Sequence, residues 1–321
     1  MLTMLTRMMK MLTDKQLKDK WDNLPYQSKS HIRVDAGHLL DWHIGYENLN
    51  QKSLLLISKV KPPEVESSKS ILFSVGERNN GDWALSLKLI REEQEDVYIR
   101  LCLDLIESSR ICNNDSAGIN FVLNRYNQWA KLMENKNSYL LTASQQKGLL
   151  GELQFLEGKI NEKRGLQEIV SSWMGPEGAD QDFVFSEKWY EIKSIAVSSH
   201  SVSISSLEQL DAPLPGELIV NLVDSTSPED PNGITLRRKV MDIKEALASD
   251  INAQNLFEKK LLKVGYIDIP EYDKISYRCV AIKKFNVDNK FPRITRQEIP
   301  SEIESLEYKI SIPAIKSWEI D

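Results

Sequence analysis

The chain is poor in cysteine. Cys102, Cys112 and Cys279 stand far apart with no Cys-x-x-Cys spacing, which excludes a disulfide framework and a cysteine-rich zinc site. A reduced, cytoplasmic setting is the expectation that follows. Long apolar runs are missing too: no window is long and apolar enough to cross a bilayer, so no membrane role is expected. Residues 1–13 are apolar but interrupted by Arg7 and Lys10, and they lack the ordered regions and cleavage site of a signal peptide. Met1, Met4, Met8, Met9 and Met11 leave two readings there, a mis-assigned start with Met11 as the true beginning or an amphipathic helical extension. Basic residues are not in excess. The formal charge of −6 argues against a generally basic nucleic-acid binder, though not against a local basic cleft. No internal repeat and no low-complexity tract is found.

What is present suffices for a core. At 321 residues and 41% hydrophobic, the chain has the composition of two folded domains, or of one large domain with additions. Residues 21–89 read as β-rich, with strand-like runs at His31-Ile-Arg-Val34, Leu54-Leu-Leu-Ile57 and Ile71-Leu-Phe-Ser-Val75. Asn79-Asn-Gly-Asp82 turns the chain into an alternating strand from Trp83, the signature of a hairpin. Helical periodicity covers 95–109 and 119–133, and the polar stretch 134–138 reads as a domain joint. Thr142-Ala-Ser-Gln145 has the spacing of a capping box and opens a helix to about Ile160, with Leu149, Leu150, Leu153, Leu156 and Ile160 as its apolar stripe. Gly148 and Gly151 inside that helix cost about 1 kcal/mol each against alanine and point to close backbone approach. Farther on, 201–205 reads as a strand, Ser206-Leu-Glu-Gln209 as a short helical turn with capping-box spacing, and 218–223 as a buried strand. Residues 236–264 read as one long helix or a pair, and strand-like pieces follow at 278–282 and 308–312, split by prolines.

The chemistry concentrates in residues 181–193. This stretch reads as a β-hairpin whose turn is centred on Ser186–Glu187 or Glu187–Lys188. The two registers set Asp182 opposite Glu191 or Lys193, and because side chains alternate along a strand, all three then share one face. Phe183, Phe185, Tyr190 and Ile192 form the opposite, apolar face. Two acids beside one another repel unless a cation joins them, and a hard divalent ion is the usual solution. Such an ion lowers the pKa of bound water, and Lys193 is placed to orient that water or balance charge at a phosphate. That is nuclease chemistry. The plainer reading is a salt-bridged outer face of an ordinary hairpin. Other Glu-x-Lys pairs, at Glu134, Glu157 and Glu258, fall in helical or loop-like sequence, where residues i and i+2 do not share a face, and Glu307 is on a plausible strand but has no preceding hairpin acid.

Glu152 lies beside the apolar stripe of its helix and is either a further acid of the metal site or a glutamate flanking the core. Gln209 is either a site residue or the cap partner of Ser206. His200 reads as a solvated loop residue. Arg237-Arg238-Lys239, Lys259-Lys260-Lys263 and Lys283-Lys284 are basic clusters that read as DNA phosphate contacts or as solvated helix faces balancing nearby acids.

The order Glu152 on a helix, Asp182 on a hairpin, Glu191-x-Lys193 on a strand, another strand and Gln209 resembles the PD-(D/E)XK nuclease superfamily. More narrowly, Lys147-Gly-Leu-Leu-Gly-Glu-Leu-Gln-Phe-Leu156, Trp173-Met-Gly-Pro-Glu-Gly-Ala-Asp-Gln-Asp-Phe183 and Ser205-Ser-Leu-Glu-Gln-Leu210 are similar to a bacterial family known as PD-(D/E)XK motif proteins, met in restriction-like, phage-defence gene neighbourhoods. The likeness is strong over about 145–225 and looser in the N-terminal half. It implies an α/β fold with a restriction-endonuclease-like αβββαβ core and Mg2+-dependent hydrolysis of double-stranded DNA, Mn2+ being an alternative ion. It also implies metal ligation by Asp182 and Glu191, water activation by Lys193, an accessory metal-site acid in Glu152 and a supporting glutamine in Gln209. Gln181 stands where the signature proline would be, a departure common in the superfamily. Expected domains are a β-rich N-terminal domain with two helices over 1–141 (1–10 being the start or extension), the nuclease core over 142–266 and a C-terminal extension over 267–321. The alternative function is a catalytically weak DNA-binding or assembly subunit that acts only with partner proteins of a defence operon. Cutting both strands suits a homodimer, by analogy with other nucleases.

Overall fold

The computed structural model describes residues 12–25, 31–47, 51–63, 65–134, 140–162 and 165–320. The two candidate starts, Met1 and Met11, and most of the polar joint at 134–138 lie outside the described residues. The chain divides into two compact units, Met1–Tyr139 and Leu140–Asp321.

In the first unit, helix α1 (Asp14–Asp22) precedes strands β1 (His31–Arg33), β2 (Asp41–Tyr46), β3 (Lys52–Ser58), β4 (Ile71–Glu77) and β5 (Trp83–Leu89), then helices α2 (Glu95–Ser108) and α3 (Asp115–Glu134). The strands form one antiparallel sheet in the order β1-β2-β3-β5-β4. Helices are tied to it by buried polar groups: the Trp21 indole donates to Gly45 O at 3.1 Å and the Tyr98 hydroxyl to Leu87 O at 2.8 Å. Helix α1 is absent from the sequence reading because six of its nine residues are charged, so its buried stripe is only Leu17 and Trp21, one turn apart. Its Thr13–Gln16 capping box is the same local signal that marked the helix after Thr142. Strand β2, also unanticipated, buries the alternating Trp42, Ile44 and Tyr46.

The second unit opens with α4 (Ala143–Asn161), whose capping box between Thr142 and Gln145 is formed and whose stripe Leu149, Leu150, Leu153, Leu156 and Ile160 is buried. Then come α5 (Leu166–Ser172), β6 (Phe183–Val184), β7 (Trp189–Ile195), β8 (Ser201–Ile204), β9 (Gly216–Thr226) and β10 (Ile234–Thr235). Helices α6 (Leu236–Ala246) and α7 (Ile251–Lys263) form a pair, separated where Asp250 accepts hydrogen bonds from Asn252 N and Ala253 N. Strands β11 (Ser276–Val287), β12 (Tyr308–Ser311) and β13 (Glu319–Ile320) complete it.

The main sheet runs β10-β11-β9-β7-β6, with β13 on β11. Strands β7 and β9 are parallel, from Trp189 opposite Gly216 to Ile195 opposite Leu222. The segment after 267, read from sequence as an extension, supplies β11 to this same sheet. One sheet face carries a core of Trp189, Leu218, Val220 and Phe285, under Val202, Ile204 and Ile310 from a separate ribbon of β8 and β12. Helix α4 packs on the other face, where Gly151 lets it approach: a Cβ there would lie 2.3 Å from Ser194 Oγ and 2.7 Å from Asn221 Nδ2. Nothing in the structure explains Gly148, around which a Cβ would find open space.

This is the expected α/β order of helix, three strands and a further strand, with one correction. The short helical turn expected at Gln209 is formed, Leu210 N and Asp211 N both donating to Leu207 O, but it does not lengthen into the helix of the αβββαβ order. Leu207 and Leu210 are both buried there, and Pro213 and Pro215 close off the short connection to β9, so a turn is all that fits. No helix among the described residues is long and apolar enough to cross a membrane.

Candidate active site

The hairpin register follows from its turn. Phe185 N donates to Lys188 O at 2.9 Å, Val184 faces Trp189 and Phe183 faces Tyr190, so the two-residue turn is Ser186–Glu187 and Asp182 is the next position outward, opposite Glu191. Phe183 and Phe185 are buried, and Phe155 of α4 lies 4.7 Å from the Phe183 ring and 4.8 Å from that of Tyr190. The opposite face is covered as well. Glu191 is only 1% exposed and neighbouring Trp189 is equally enclosed, because β7 is an inner strand of the sheet. A solvated outer ion pair does not describe this acid.

Asp182 is pinned from two sides. Its Oδ2 accepts from Ile192 N at 2.8 Å, and its carbonyl accepts from Met174 N at 2.7 Å and Gly175 N at 3.0 Å. The Lys193 ammonium is 2.9 Å from Glu191 Oε1 and donates to Gln209 Oε1 at 2.9 Å. That same oxygen accepts from Ser205 N at 2.9 Å, so Gln209 closes its own turn while holding the lysine. Glu152 reaches across from α4, and its Oε2 accepts from the Trp173 indole at 2.7 Å. Gly175 makes room for the acids: a Cβ on it would lie 2.9 Å from Asp182 Oδ1 and 3.4 Å from Glu152 Oε2. The structure thus brings Glu152, Asp182, Glu191, Lys193 and Gln209 into one neighbourhood.

Burial raises the pKa of all three acids. Glu191 is pushed from 4.5 up to about 8, first by burial and then by the charge of Asp182, with Lys193 opposing. Burial and the charge of Asp182 hold Glu152 well above the usual carboxylate range, and burial raises Asp182 against the pull of the Ile192 N–H and Lys193. Glu191 Oε2 is buried with no hydrogen-bond partner among the described residues. A carboxylate set that resists ionisation, with one oxygen left bare, is one that a bound cation would suit. No three His, Cys, Asp or Glu side chains among the described residues form a ready-made metal cage. Mg2+ does not require one, because it usually keeps several waters and takes one or two carboxylates.

A stability effect follows with a definite sign. For a carboxyl whose folded pKa lies above its unfolded one, the stabilising contribution is complete below the unfolded value, about 4.5, and is lost as pH rises through about 8. At about 1.4 kcal/mol per pKa unit, several kcal/mol is at stake. The metal-free chain is expected to melt at a lower temperature at pH 9 than at pH 6, and Glu191→Gln to flatten that slope. Thermal melts in EDTA across pH check this; equal slopes in both proteins would contradict it.

The basic clusters are placed differently from the acids. Arg237 pairs with Asp268 at 2.6 Å and Asp273 at 2.9 Å, Arg238 with Asp242 at 2.8 Å, and Lys239 with Glu157 at 2.6 Å. Lys260 is buried on the carbonyls of Ser171 and Trp173. Arg237, Lys239 and Lys260 neutralise or tether their own unit, while Arg238 and Lys259 are exposed. The sequence reading passed over Trp173, Gly175 and the tethering role of Lys260. Their signal was only that Trp173 and Gly175 sit in the motif just before Asp182.

No curated protein and no solved structure matches the chain. A family match spans residues 17–313, well over half of the sequence and including every acid and the lysine of the site. The chain therefore belongs to the family described as "Putative PD-(D/E)XK family member, (DUF4420)".

Proposed function

We propose that the chain is a divalent-metal-dependent endonuclease that hydrolyses phosphodiester bonds of double-stranded DNA in a restriction or phage-defence setting. The observation that carries this reading is the hairpin. Asp182 stands opposite a buried Glu191, and the Lys193 ammonium is 2.9 Å from Glu191 and 2.9 Å from Gln209.

In this reading Asp182 and Glu191 hold the cation, Mg2+ or Mn2+, with Glu152 as the accessory acid. When bound, the cation supplies a water of lowered pKa and positive charge on the phosphate oxygens. Asp182, held at both its carboxylate and its carbonyl, keeps its place as charge builds. Lys193 directs an N–H at the attacking water or the scissile phosphate, and Gln209 fixes the direction of that amine. Phosphate contacts outside the site fall to exposed cations such as Lys259 and Arg238 and would bring salt dependence without sequence preference.

One observation favours a second reading, a subunit that binds or assembles on DNA but cuts only with partner proteins. Arg237, Lys239 and Lys260 are committed within the chain, which leaves less cationic surface for capturing DNA unaided. The deciding experiment is cleavage of supercoiled and linear DNA by the purified chain with Mg2+ or Mn2+, beside Asp182→Asn. Metal-dependent cutting that falls at least about 100-fold in the variant is the expected result. DNA bound but uncut by the unmodified chain would favour the partner-dependent subunit. Equal cutting by both proteins would overturn the site.

A further inference from the structure

We propose that Trp173 and Lys260 are positioning residues that together clamp the loop before the hairpin and so set the placement of Glu152 against Asp182. The proposal rests on the reading of this site as a divalent-metal site. The loop touches both acids. From its first part, the Trp173 indole N–H holds Glu152 Oε2 at 2.7 Å. From its second part, Met174 N and Gly175 N hold the Asp182 carbonyl at 2.7 and 3.0 Å. Consecutive residues of one loop therefore grip an acid from α4 and an acid from the hairpin, which lie 30 positions apart in sequence.

The loop itself is fixed from behind. Trp173 is fully enclosed, its ring stacked on Phe183 at 6.4 Å and 17°, with Phe257 of α7 at 5.9 Å. Its backbone also bridges to Phe183, the residue after Asp182. Lys260 of α7, 2% exposed, donates to Ser171 O at 3.0 Å and to Trp173 O. The carboxylate paired with its ammonium, that of Glu177, is 3.7 Å away. An enclosed ammonium costs several kcal/mol unless hydrogen bonds compensate, and a methionine would fill similar space without that cost. What the amine adds is a grip on two carbonyls either side of the loop's start, and hence orientation.

The need for orientation comes from the acids. Glu152 Oε2 and Asp182 Oδ1 crowd the same spot beside Gly175, and an N–H from a ring that cannot rotate fixes the first of them there. Partners that orient metal-site ligands typically change metal affinity 10- to 100-fold when removed.

The test is Mn2+ binding by isothermal titration calorimetry on the full chain, comparing the unmodified protein with Trp173→Phe, Lys260→Met and Glu152→Gln, with metal-free melts and circular dichroism on each. Trp173→Phe keeps a ring for Phe183 and Phe257 while removing the N–H together with part of the indole, and the metal-free melts report that packing loss separately from metal affinity. The expected result is a loss of Mn2+ affinity of about 10-fold or more in Trp173→Phe with far-UV circular dichroism unchanged, and a loss in the same direction in Lys260→Met. Unchanged affinity in Trp173→Phe, with affinity lost in Glu152→Gln, would overturn the clamp and leave the metal site standing. No Mn2+ binding by the unmodified chain would overturn both. Should Lys260→Met fail to fold, Trp173→Phe decides alone.

Discussion

Lys193→Ala is expected to slow DNA hydrolysis by about 100- to 10,000-fold, the range for removing a positioned proton-transfer group, without a comparable loss of DNA affinity. An ammonium has three N–H donors. Glu191 Oε1 and Gln209 Oε1 take two of them, each at 2.9 Å, and the third has no partner among the described residues. It is the one available to a water or a phosphate oxygen. Lys193 is half-buried beside an enclosed Glu191, so its charge acts in a poorly screened setting, where it counts for more than on a surface. Arginine should not restore the rate, since its planar fork cannot reproduce a compact amine with three rotatable donors. Single-turnover cleavage with metal, and fluorescence anisotropy of labelled DNA in EDTA, separate rate from binding. A Lys193→Ala protein that cuts at the unmodified rate would remove the lysine from the chemistry.

Gly216→Ala is the second, and its effect is on folding. A Cβ at Gly216 would lie 1.9 Å from Trp189 Cε2, 2.1 Å from Cζ2 and 2.3 Å from Cδ2, well inside van der Waals contact. The ring has nowhere to go. It is 1% exposed, its N–H donates to Leu214 O at 2.8 Å, and it packs in the cluster with Val202, Ile204, Leu210 and Leu218. Gly216 and Trp189 are also the first pair of the parallel β7–β9 register, so relief would require the strands to part just where β7 leads to Glu191. Overpacking typically costs 1–3 kcal/mol and occasionally more; two rigid partners put this case at about 3 kcal/mol or above. The urea midpoint of the second unit should fall, and cleavage with it. An unchanged midpoint in Gly216→Ala would contradict the packing argument.

Both expectations trace to a site whose local parts were legible in the sequence. The capping box at Thr142 and the stripe from Leu149 to Ile160 define α4 by contacts within a turn or two. The hairpin was legible for the same reason, though two registers were open until the Phe185–Lys188 hydrogen bond selected one. Gln209 was read on a short helical turn and sits on one, which the prolines that close the connection keep from lengthening into a helix. The basic clusters illustrate the opposite limit. Runs such as Arg237-Arg238-Lys239 look like binding surfaces until Asp268, Asp273 and Glu157 arrive from distant segments. Lys260 looked like a surface cation and is enclosed on carbonyls 87 and 89 residues away.

The sequence by itself determined that Glu191 and Lys193 share a face and that Asp182 joins them, because strand alternation and a tight turn are properties of neighbouring backbone. Only the tertiary structure decided that Glu191 is buried, that Trp173 holds Glu152, that Gln209 holds Lys193 and which cations are spent inside the chain. Burial and long-range pairing depend on segments brought together by folding, and no local spacing encodes which segments those are.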